Sequence, residues 1–460
     1  METPRIDFAP SPQEFLAFFT ATDYNFAINI FAGSSPMFSL DRRQFTGGLA
    51  ALMAAPTVLL GGDDTTVVAP FTPETLFLTW QGDPTTTMTV QWVGGKDATD
   101  DTTIYYQRAA RGFFEAGPLA WNEAKSSAKA FPLTELTNFR AELTKLTPGT
   151  EYRMKIGKNS PVYKFRTMPA KATNDFTFIS GGDAGVNQHV IENNKQAAKQ
   201  DPYFAIVGGD LAYDNGTNAK TYLAWLRDYS KYMIDTKGRL IPMVVCIGNH
   251  EVKGGYNKTR AEAPFFFAHF DGLYKDTAYA ALDFGDYLSL VLMDTGHVSK
   301  IAGDQTDWLD KALAARTERP HLIVVNHVPC YPSYRPAEAP AGSILRAGTG
   351  EEQRKNWVPL FEKHNVDLVL EHHDHTFKRT HPMKDGLKDK NGILYLGDGS
   401  WGKLRNASKA ESRSYIAHAS TSYHITVHRL EAEQRFHMAL EEGGKIVDVC
   451  TTEKKVRRKG

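Results

Sequence analysis

Five apolar segments of this chain are each followed directly by aspartate, asparagine or histidine, and this repetition constrains the fold more than any other feature. The segments are 175–180, 204–207, 241–247, 321–325 and 366–370, and the polar groups that follow them are Asp183, Asp210, Asn249 with His250, Asn326 with His327, and 371–375. Longer helical patterns separate these strand-like runs, which predicts an α/β or layered α/β sandwich domain. Because side chains that follow such strands meet at one sheet edge, we expect a site there.

The chemistry of these residues favours a metal site. A single Gly-Asp or Asn-His pair is common in ordinary turns and predicts nothing alone. Carboxylate and amide oxygens combined with imidazoles, however, suit ions of intermediate hardness such as Fe, Mn or Zn. The ordered set therefore predicts a pair of metal ions.

The order of the motifs resembles one known superfamily. Gly-Asp-x-Gly ending at Gly185, Gly-Asp-x-x-Tyr ending at Tyr213, Gly-Asn-His-Glu ending at Glu251, Val-x-x-His ending at His327 and His-x-His ending at His375 resemble the calcineurin-like metallophosphoesterases. Tyr213 is similar to the tyrosine that marks the purple acid phosphatase branch. The resemblance covers residues 67–400.

That resemblance implies a ligand set. The first metal would take Asp183, Tyr213 and His375, the second would take Asn249, His327 and His373, and Asp210 would bridge them. The implied cofactors are Fe(III) and a divalent Fe, Zn or Mn. His250 matches the family's substrate-contacting histidine and would protonate the leaving group. Glu251 would orient the ligands without binding a metal itself. The implied reaction is hydrolysis of small phosphate monoesters by attack of a metal-bound hydroxide.

Two departures from the family pattern concern the substrate pocket. His372 stands where the family usually has glycine, so it either alters the local backbone, faces the substrate, or is packed or solvated without a role. The run after His327 lacks the extra histidine of many relatives, so Tyr334 or Arg335 would hold the phosphate instead.

Two other functions stay open at this point. A phosphodiesterase or nucleotidase could use the same metals, because selectivity would depend on loops such as 254–264 and 330–350. A metal-binding adhesion or scaffold protein is a further alternative, which the complete ligand set argues against.

Residues 67–168 predict a separate, all-β sandwich domain. Short alternating strands are interrupted by Gly and Pro turns, as in Met88, Val90 and Trp92 against Thr87, Thr89 and Gln91. The stretch Leu146–Tyr152 resembles a signature of fibronectin-III-like domains, and such a domain precedes the catalytic domain of large purple acid phosphatases. The catalytic domain is expected over 172–445 and a basic, solvated tail over 446–460.

The overall charge of the chain does not indicate a class of binding partner. The 460 residues include 53 Lys plus Arg and 53 Asp plus Glu, so neither nucleic acid nor an anionic membrane is expected as a partner. Three cysteines are too few for a disulfide framework, although Cys330 and Cys450 could pair. The oligomeric state is left open.

Residues 1–66 predict an N-terminal extension with an export signal. Arg42-Arg43 precede a weakly apolar run of small residues, a pattern that resembles a twin-arginine signal, and the alternative is an amphipathic helix from Asp41. The run is shorter than the ~20 residues that span a bilayer, so no stable membrane anchor is expected. We expect translation to start at Met37, cleavage between Ala55 and Val68, and a periplasmic or secreted product.

Overall fold

The structure is a computed structural model that describes residues 71–109, 120–173, 176–339, 347–407, 413–431 and 434–455. The predicted start at Met37 and the twin-arginine pattern lie outside these residues. No helix in the described part of the chain is both long enough and apolar enough to cross a bilayer.

The first domain is a sandwich of two antiparallel four-stranded sheets, as the alternating pattern predicts. One sheet has the order β1-β2-β6-β5 and the other β4-β3-β7-β8. The strands are β1 (Phe77–Thr79), β2 (Met88–Gly94), β3 (Ile104–Arg108), β4 (Asn122–Ala124), β5 (Ser127–Ala130), β6 (Thr137–Leu143), β7 (Glu151–Ile156) and β8 (Tyr163–Arg166). In the first sheet, the rings of Trp92 and Phe139 stack at 5.1 Å.

The polar face of β2 is buried, which its alternating pattern does not by itself predict. Thr89 and Gln91 are fully buried, because this face of the sheet packs against the second domain. The amide of Gln91 donates to the carbonyl of His269 at 2.9 Å, and Arg140 on the neighbouring β6 pairs with Asp271 at 2.5 Å. The polar residues of this strand therefore join two domains instead of facing solvent.

The second domain contains two larger mixed sheets. The six-stranded sheet has the order β11-β10-β9-β21-β22-β23, and the seven-stranded sheet has the order β12-β13-β14-β15-β19-β16-β20. The strands are β9 (Phe176–Gly181), β10 (Ala205–Gly208), β11 (Met243–Cys246), β12 (Ala280–Phe284), β13 (Leu288–Leu292), β14 (His321–Val325), β15 (Leu368–Glu371), β16 (Phe377–Thr380), β17 (Met383–Lys384), β18 (Leu387–Lys388), β19 (Leu394–Asp398), β20 (Ile416–Ser420), β21 (His424–Glu431), β22 (Gln434–Glu441) and β23 (Ile446–Glu453), of which β17 and β18 form a separate hairpin.

Helices pack beside both sheets. They are α1 (Gln188–Ala198), α2 (Ala219–Tyr232), α3 (Pro264–Phe270), α4 (Asp304–Ala314), α5 (Glu351–Asn356) and α6 (Val358–Lys363). Leu309 and Leu313 of α4 and Phe361 of α6 join Leu322 and Val324 of β14 in one apolar core. Helices α1 and α2 contact each other, and α1 also contacts β21 of the six-stranded sheet. This is the mixed α/β domain that alternating strands and helices predict.

An aromatic core joins the two sheets. Phe178 of β9 stacks on Phe204 at 5.0 Å, and Phe204 stacks on Phe284 of β12 at 4.8 Å. Strands β9, β10 and β11 are parallel, and so are β13, β14, β15 and β19. The carboxyl ends of both parallel sets carry the polar residues singled out above, so two sheets contribute to one site.

Two sequence-based expectations need correction here. Residues 446–460 do not form a tail as a whole, because Ile446–Glu453 is strand β23 and pairs with β22 along its length. Lys455 also donates from its backbone to Asp367 at 3.2 Å. The pairing of Cys330 with Cys450 is wrong as well, since all three cysteines are free thiols.

Candidate metal centre

Each candidate ligand lies in the segment that follows the end of a parallel strand, which is a loop for all of them except Asn249, the first residue of the 3-10 helix Asn249–Glu251. Asp183 follows β9, Asp210 follows β10, and Asn249 follows β11. His327 follows β14 of the other sheet, and the pair His373 and His375 follows β15. The local sequence explains this placement, because buried apolar strands run up to glycines or polar residues that cannot continue the apolar core.

The loops bring these side chains together as two groups that share one carboxylate. Ligand atoms of Asp210, His327 and His373 lie within 4.8 Å of one another, and so do those of Asp183, Asp210 and His375. The imidazole Nε2 of His375 is 3.0 Å from an oxygen of Asp183, and Nε2 of His327 is 3.3 Å from an oxygen of Asp210. The order of these residues along the chain does not by itself predict which of them lie in the same group.

Tyr213 and Asn249 complete the two groups. The phenol of Tyr213 donates to Asp183 at 3.1 Å and lies 2.9 Å from Nε2 of His375. The side-chain oxygen of Asn249 lies 3.2 Å from Nε2 of His327, which is 3.1 Å from Nδ1 of His373. All seven residues that the resemblance implies as ligands therefore converge, with Asp210 between the two sets.

The electrostatics of Asp210 fit bound cations. Its Oδ1 accepts the backbone N–H of His250 at 2.8 Å, whereas its buried Oδ2 has no hydrogen-bond partner in the described part of the chain. Burial alone would raise the pKa of Asp210, but the facing His327, His250 and His373 hold it well below its usual range. Burial likewise opposes the charge on His327, yet Asp210 raises the pKa of that imidazole to about 9. A buried carboxylate oxygen without a donor is costly unless a cation takes that place.

Backbone conformation at the centre is strained. Five candidate ligands adopt the left-handed region that side chains other than glycine disfavour: Asp183 (φ 56°), Asp210 (φ 54°), Tyr213 (φ 62°), His373 (φ 72°) and His375 (φ 58°). Each such residue costs about 1–3 kcal/mol and persists only where its surroundings enforce it. Strain concentrated on one set of donors marks a functional site.

Glu251 is one of the groups that enforce this geometry. Its buried carboxylate accepts the backbone N–H groups of Asp210 at 2.8 Å, Leu211 at 2.7 Å and Gly248 at 2.7 Å. An added Cβ at Gly248 would lie 2.5 Å from the backbone nitrogen of Asp210, so only glycine fits between the two loops. Glu251 thus ties the loop of Asp210 to the segment of Asn249.

His250 lies at the open side of the centre. Its Nδ1 is 2.5 Å from the side-chain oxygen of Asn215, its Nε2 is 3.9 Å from Oδ2 of Asp210, and its ring lies 4.2 Å from that of Tyr213. Because Asn215 accepts the Nδ1–H, the other ring nitrogen faces the metal-binding residues and the open side. Burial lowers the pKa of His250, while the charge of Asp210 acts in the opposite direction.

The structure does not place His372 where a substrate could reach it. The residue is only 2% exposed, and its Nδ1 donates to the carbonyl of Asn326 at 2.8 Å. An added Cβ at Gly182 would lie 2.7 Å from its ring, and one at Gly208 would collide with it. His372 is not among the residues with positive φ, so glycine is not needed at this position. The predicted substrate contact is therefore corrected to a packing role beneath the loops of Asp183 and Asp210.

Arg335 and Tyr334 differ in their placement. The guanidinium of Arg335 donates to the carbonyl of His373 and to the carboxylate of Asp374 at 2.9 Å, so it borders the centre. Tyr334 is 43% exposed and its ring lies 5.2 Å from the guanidinium carbon of Arg405. Of the two residues predicted to hold phosphate, only Arg335 contacts a candidate ligand through its side chain.

Sequence reasoning missed three residues around the centre. Asn215 contacts His250 as described, and the ring of His297 lies 5.7 Å from that of His327. The ring of Tyr256 lies 4.8 Å from that of His297, tilted by 40°. The signal for His297 was present, because the apolar strand β13 is followed by Asp294 and His297 in the same way as the other ligand-bearing strands.

Comparison with known proteins agrees with this geometry. Residues 73–167 match the purple acid phosphatase N-terminal domain, and residues 172–377 match the calcineurin-like phosphoesterase domain. The chain is 26% identical to purple acid phosphatase 21 of Arabidopsis thaliana over 268 residues, which are 55% of this chain and 56% of that protein. It is 25% identical to acid phosphatase type 7 of Mus musculus over 329 residues, 68% of this chain and 72% of that protein.

Solved structures share the fold. The purple acid phosphatase PPD1 from yellow lupin (Lupinus luteus) seeds superposes with a TM-score of 0.61 at 16% identity, over 82% of this chain and 73% of that one. The structure of PhoD superposes with a TM-score of 0.58 at 12% identity, over 87% of this chain and 95% of that one. Two mixed sheets with converging donors thus define a calcineurin-like metallophosphoesterase domain.

The preceding sandwich narrows the assignment. Because that sandwich is of the purple acid phosphatase N-terminal type, the chain belongs to the purple acid phosphatase family. The chain spans just over half the length of the Arabidopsis relative.

Proposed function

We propose that this protein hydrolyses phosphate monoesters at a centre of two metal ions. The observation that carries the proposal is the convergence of seven donors from two sheets into two groups that share Asp210. A carboxylate shared between two donor sets is the arrangement that holds a pair of cations close together. Such a pair suits a substrate whose reacting group is a dianion.

The residues present fit the proposed cofactor. Asp183, Tyr213 and His375 would hold one ion, and Asn249, His327 and His373 would hold the other. Asp210, which belongs to both donor groups and has one unpartnered oxygen, would be shared between them. When bound, the ions supply Lewis-acid activation of the phosphate and of the attacking water.

The donor set of the first group fits Fe(III). The phenol of Tyr213 lies 3.1 Å from an oxygen of Asp183, and the imidazole of His375 lies 3.0 Å from the same carboxylate. Carboxylate and phenol oxygens are hard ligands, and Fe(III) is the hard, acidic ion of the proposed pair. The divalent partner would be Fe, Zn or Mn. Visible absorption in the iron-loaded protein, lost in Tyr213→Phe, tests this assignment.

The chain's own residues supply the remaining steps. His250 keeps one nitrogen on Asn215 and can hold a proton on the other, at the open side of the centre. We propose that this proton goes to the departing alkoxide. Arg335, fixed by Asp374 and the carbonyl of His373, offers positive charge to the phosphate.

The test is phosphate release from an aryl monoester and from the matching diester, with and without chelator. Release mainly from the monoester that stops with chelator supports the proposal, and preference for the diester would instead support a phosphodiesterase at the same site. No turnover by fully metal-loaded protein would overturn the enzymatic function and favour a scaffold role.

His250 provides a sharper second test. His250→Ala should slow esters with poor leaving groups far more than esters with good ones, because a good leaving group needs no proton. His381→Ala is the matched control, since His381 lies beyond β16, outside the centre. Equal slowing of both esters would contradict the proton-donor role.

We also propose that the protein is exported, with small phosphorylated compounds as substrates. The support is the pattern at Arg42-Arg43 followed by a short apolar run. Residues 37–68 fused to a folded reporter should direct its export, and replacing both arginines by lysine should stop it. Unchanged export after that replacement would contradict a twin-arginine signal.

A further inference from the structure

Tyr256 lies near the open side of the metal centre, and the proposed reaction does not yet give it a role. His250 lies there next to Tyr213, with 34% of its side chain exposed, and Arg335 lies next to His373, with 22% exposed. Tyr256 is 40% exposed, and its ring lies 4.8 Å from that of His297, whose ring is 5.7 Å from that of His327.

The loop that carries Tyr256 is fixed by backbone contacts. Asn257 donates its N–H to the carbonyl of Gly296 at 2.9 Å, and Lys258 donates to the carbonyl of His297 at 2.9 Å. The Nδ1–H of His297 donates in turn to the carbonyl of Gly255 at 2.8 Å, while its ring packs on Tyr256. Tyr256 is therefore held from both sides and does not depend on substrate for its position.

The loop that carries Tyr256 contacts Asn249, a candidate metal ligand. An added Cβ at Gly255 would lie 3.6 Å from the Cβ of Asn249, which is an ordinary contact distance. On its other side the loop packs on His297, whose ring is 5.7 Å from that of His327. Tyr256 thus lies beside the donor group of Asn249, His327 and His373.

The phenol of Tyr256 is available as a hydrogen-bond donor. It makes no hydrogen bond to any residue that the structure describes, although the ring of Tyr256 packs against that of His297. Burial and the charge of Asp210 raise its pKa, and the nearby Arg335 only partly opposes them, so the phenol stays protonated. A phenol donor beside the donor group of Asn249, His327 and His373 matches the oxygens of a phosphate held at the centre.

We propose that Tyr256, together with Arg335, binds the phosphate group on the His327 side of the centre, while His250 serves the leaving group on the Tyr213 side. This inference rests on the proposed phosphomonoesterase function. It gives Tyr256 the role for which the sequence had suggested Tyr334. The hydroxyl of Tyr256 donates one hydrogen bond to a non-bridging phosphate oxygen, and no covalent bond forms or breaks there.

The experiment compares Tyr256→Phe with Tyr334→Phe in the metal-loaded protein. Binding of inorganic phosphate is measured by calorimetry, and kcat and KM are measured with an aryl monoester. Loss of one hydrogen bond to a charged group should weaken phosphate binding roughly tenfold or more in Tyr256→Phe, with a matching rise in KM. Metal content should stay at the wild-type level in both variants, and Tyr334→Phe should bind phosphate like the wild type.

The outcomes separate this inference from the proposed function. Wild-type phosphate affinity and KM in Tyr256→Phe would overturn the role of Tyr256 and leave the hydrolase standing, as would an equal loss in Tyr334→Phe. If the wild type hydrolyses no ester but binds phosphate through Tyr256, the proposed function fails and the binding role survives. Lowered metal content in Tyr256→Phe would show a structural effect and overturn the assignment.

Discussion

Replacing Glu251 by glutamine should weaken metal binding without unfolding the protein. The carboxylate accepts three backbone N–H groups, from Asp210, Leu211 and Gly248, and so fixes the loops of two candidate ligands. Glutamine has nearly the same shape but offers only one oxygen. That oxygen can keep the two bonds to Asp210 and Gly248, whereas the amide nitrogen would face the N–H of Leu211.

The size of the effect follows from that single lost bond. A hydrogen bond to a charged group contributes about 1.5–3 kcal/mol, and an unsatisfied buried donor costs about 1–3 kcal/mol. Since about 1.4 kcal/mol corresponds to a tenfold change in an equilibrium constant, a loss felt at the ligand loops lowers metal affinity about 10–100-fold. Losses of that size are usual when groups that orient metal ligands are replaced.

The assay is competition for metal against a chelator of known affinity, combined with unfolding by denaturant in the presence of metal. Glu262→Gln is the matched control. Glu251 and Glu262 end two similar 3-10 helices, Asn249–Glu251 and Arg260–Glu262, and each accepts the N–H of the residue three positions earlier, which is Thr259 at 2.8 Å for Glu262. Glu262, however, is partly exposed. Wild-type metal affinity in Glu251→Gln would refute the reasoning, and so would an equal loss in Glu262→Gln.

Three further predictions concern the described domains. Arg140→Leu should lower the free energy of unfolding by about 2–4 kcal/mol, measured in denaturant, because it removes the pair with Asp271 at 2.5 Å together with the guanidinium hydrogen bonds to Gln91 and to the carbonyls of Ala268 and His269. His269 should make the protein less stable in acid: burial and then Arg140 lower its pKa to about 3, so between its ordinary pKa and about 3 the unfolded chain binds the extra proton. Stability should therefore fall by up to about 1.4 kcal/mol per pH unit below pH 6.5, and His269→Phe should flatten that slope; an unchanged slope would contradict it. Cys246 and Cys330 are fully buried, so neither should react with a thiol reagent until denaturant is added, and rapid labelling of either in the native protein would contradict their placement.

The candidate ligands could be found from the sequence because the signal is local. A buried strand needs a continuous apolar run, and the polar residue that follows it must then lie at the sheet edge. Asp183, Asp210 and His327 show this directly. Their division into two sets came from the resemblance to a family, since strand order and the separation of the sheets are properties of the tertiary fold.

The remaining features depend on contacts between distant segments. Nothing near Gln91 in sequence indicates that its side chain meets the carbonyl of His269 in another domain. The basic residues at 454–459 predict a solvated tail, whereas the partial burial of strand β23 comes from its pairing with β22, which is a contact of the tertiary fold. The role of His372 could not be read from the motif either, because its ring fills space created by Gly182 and Gly208 of other loops.

Strain and burial together explain why the centre should depend on its metals for stability as well as for chemistry. The donors at positive φ, including Tyr213 and His373, are held in conformations that the isolated chain disfavours. The buried carboxylate of Asp210 keeps one oxygen without a protein donor. Both features cost free energy in the folded protein. A cation bound to Asp210 would remove the second cost, and its binding free energy would offset the first, so we expect metal binding to contribute to folding stability. The strained donors and the unpartnered oxygen of Asp210 therefore lie where a bound metal would offset their cost. Glu251 is the residue of the chain that fixes the backbone of Asp210 in this arrangement.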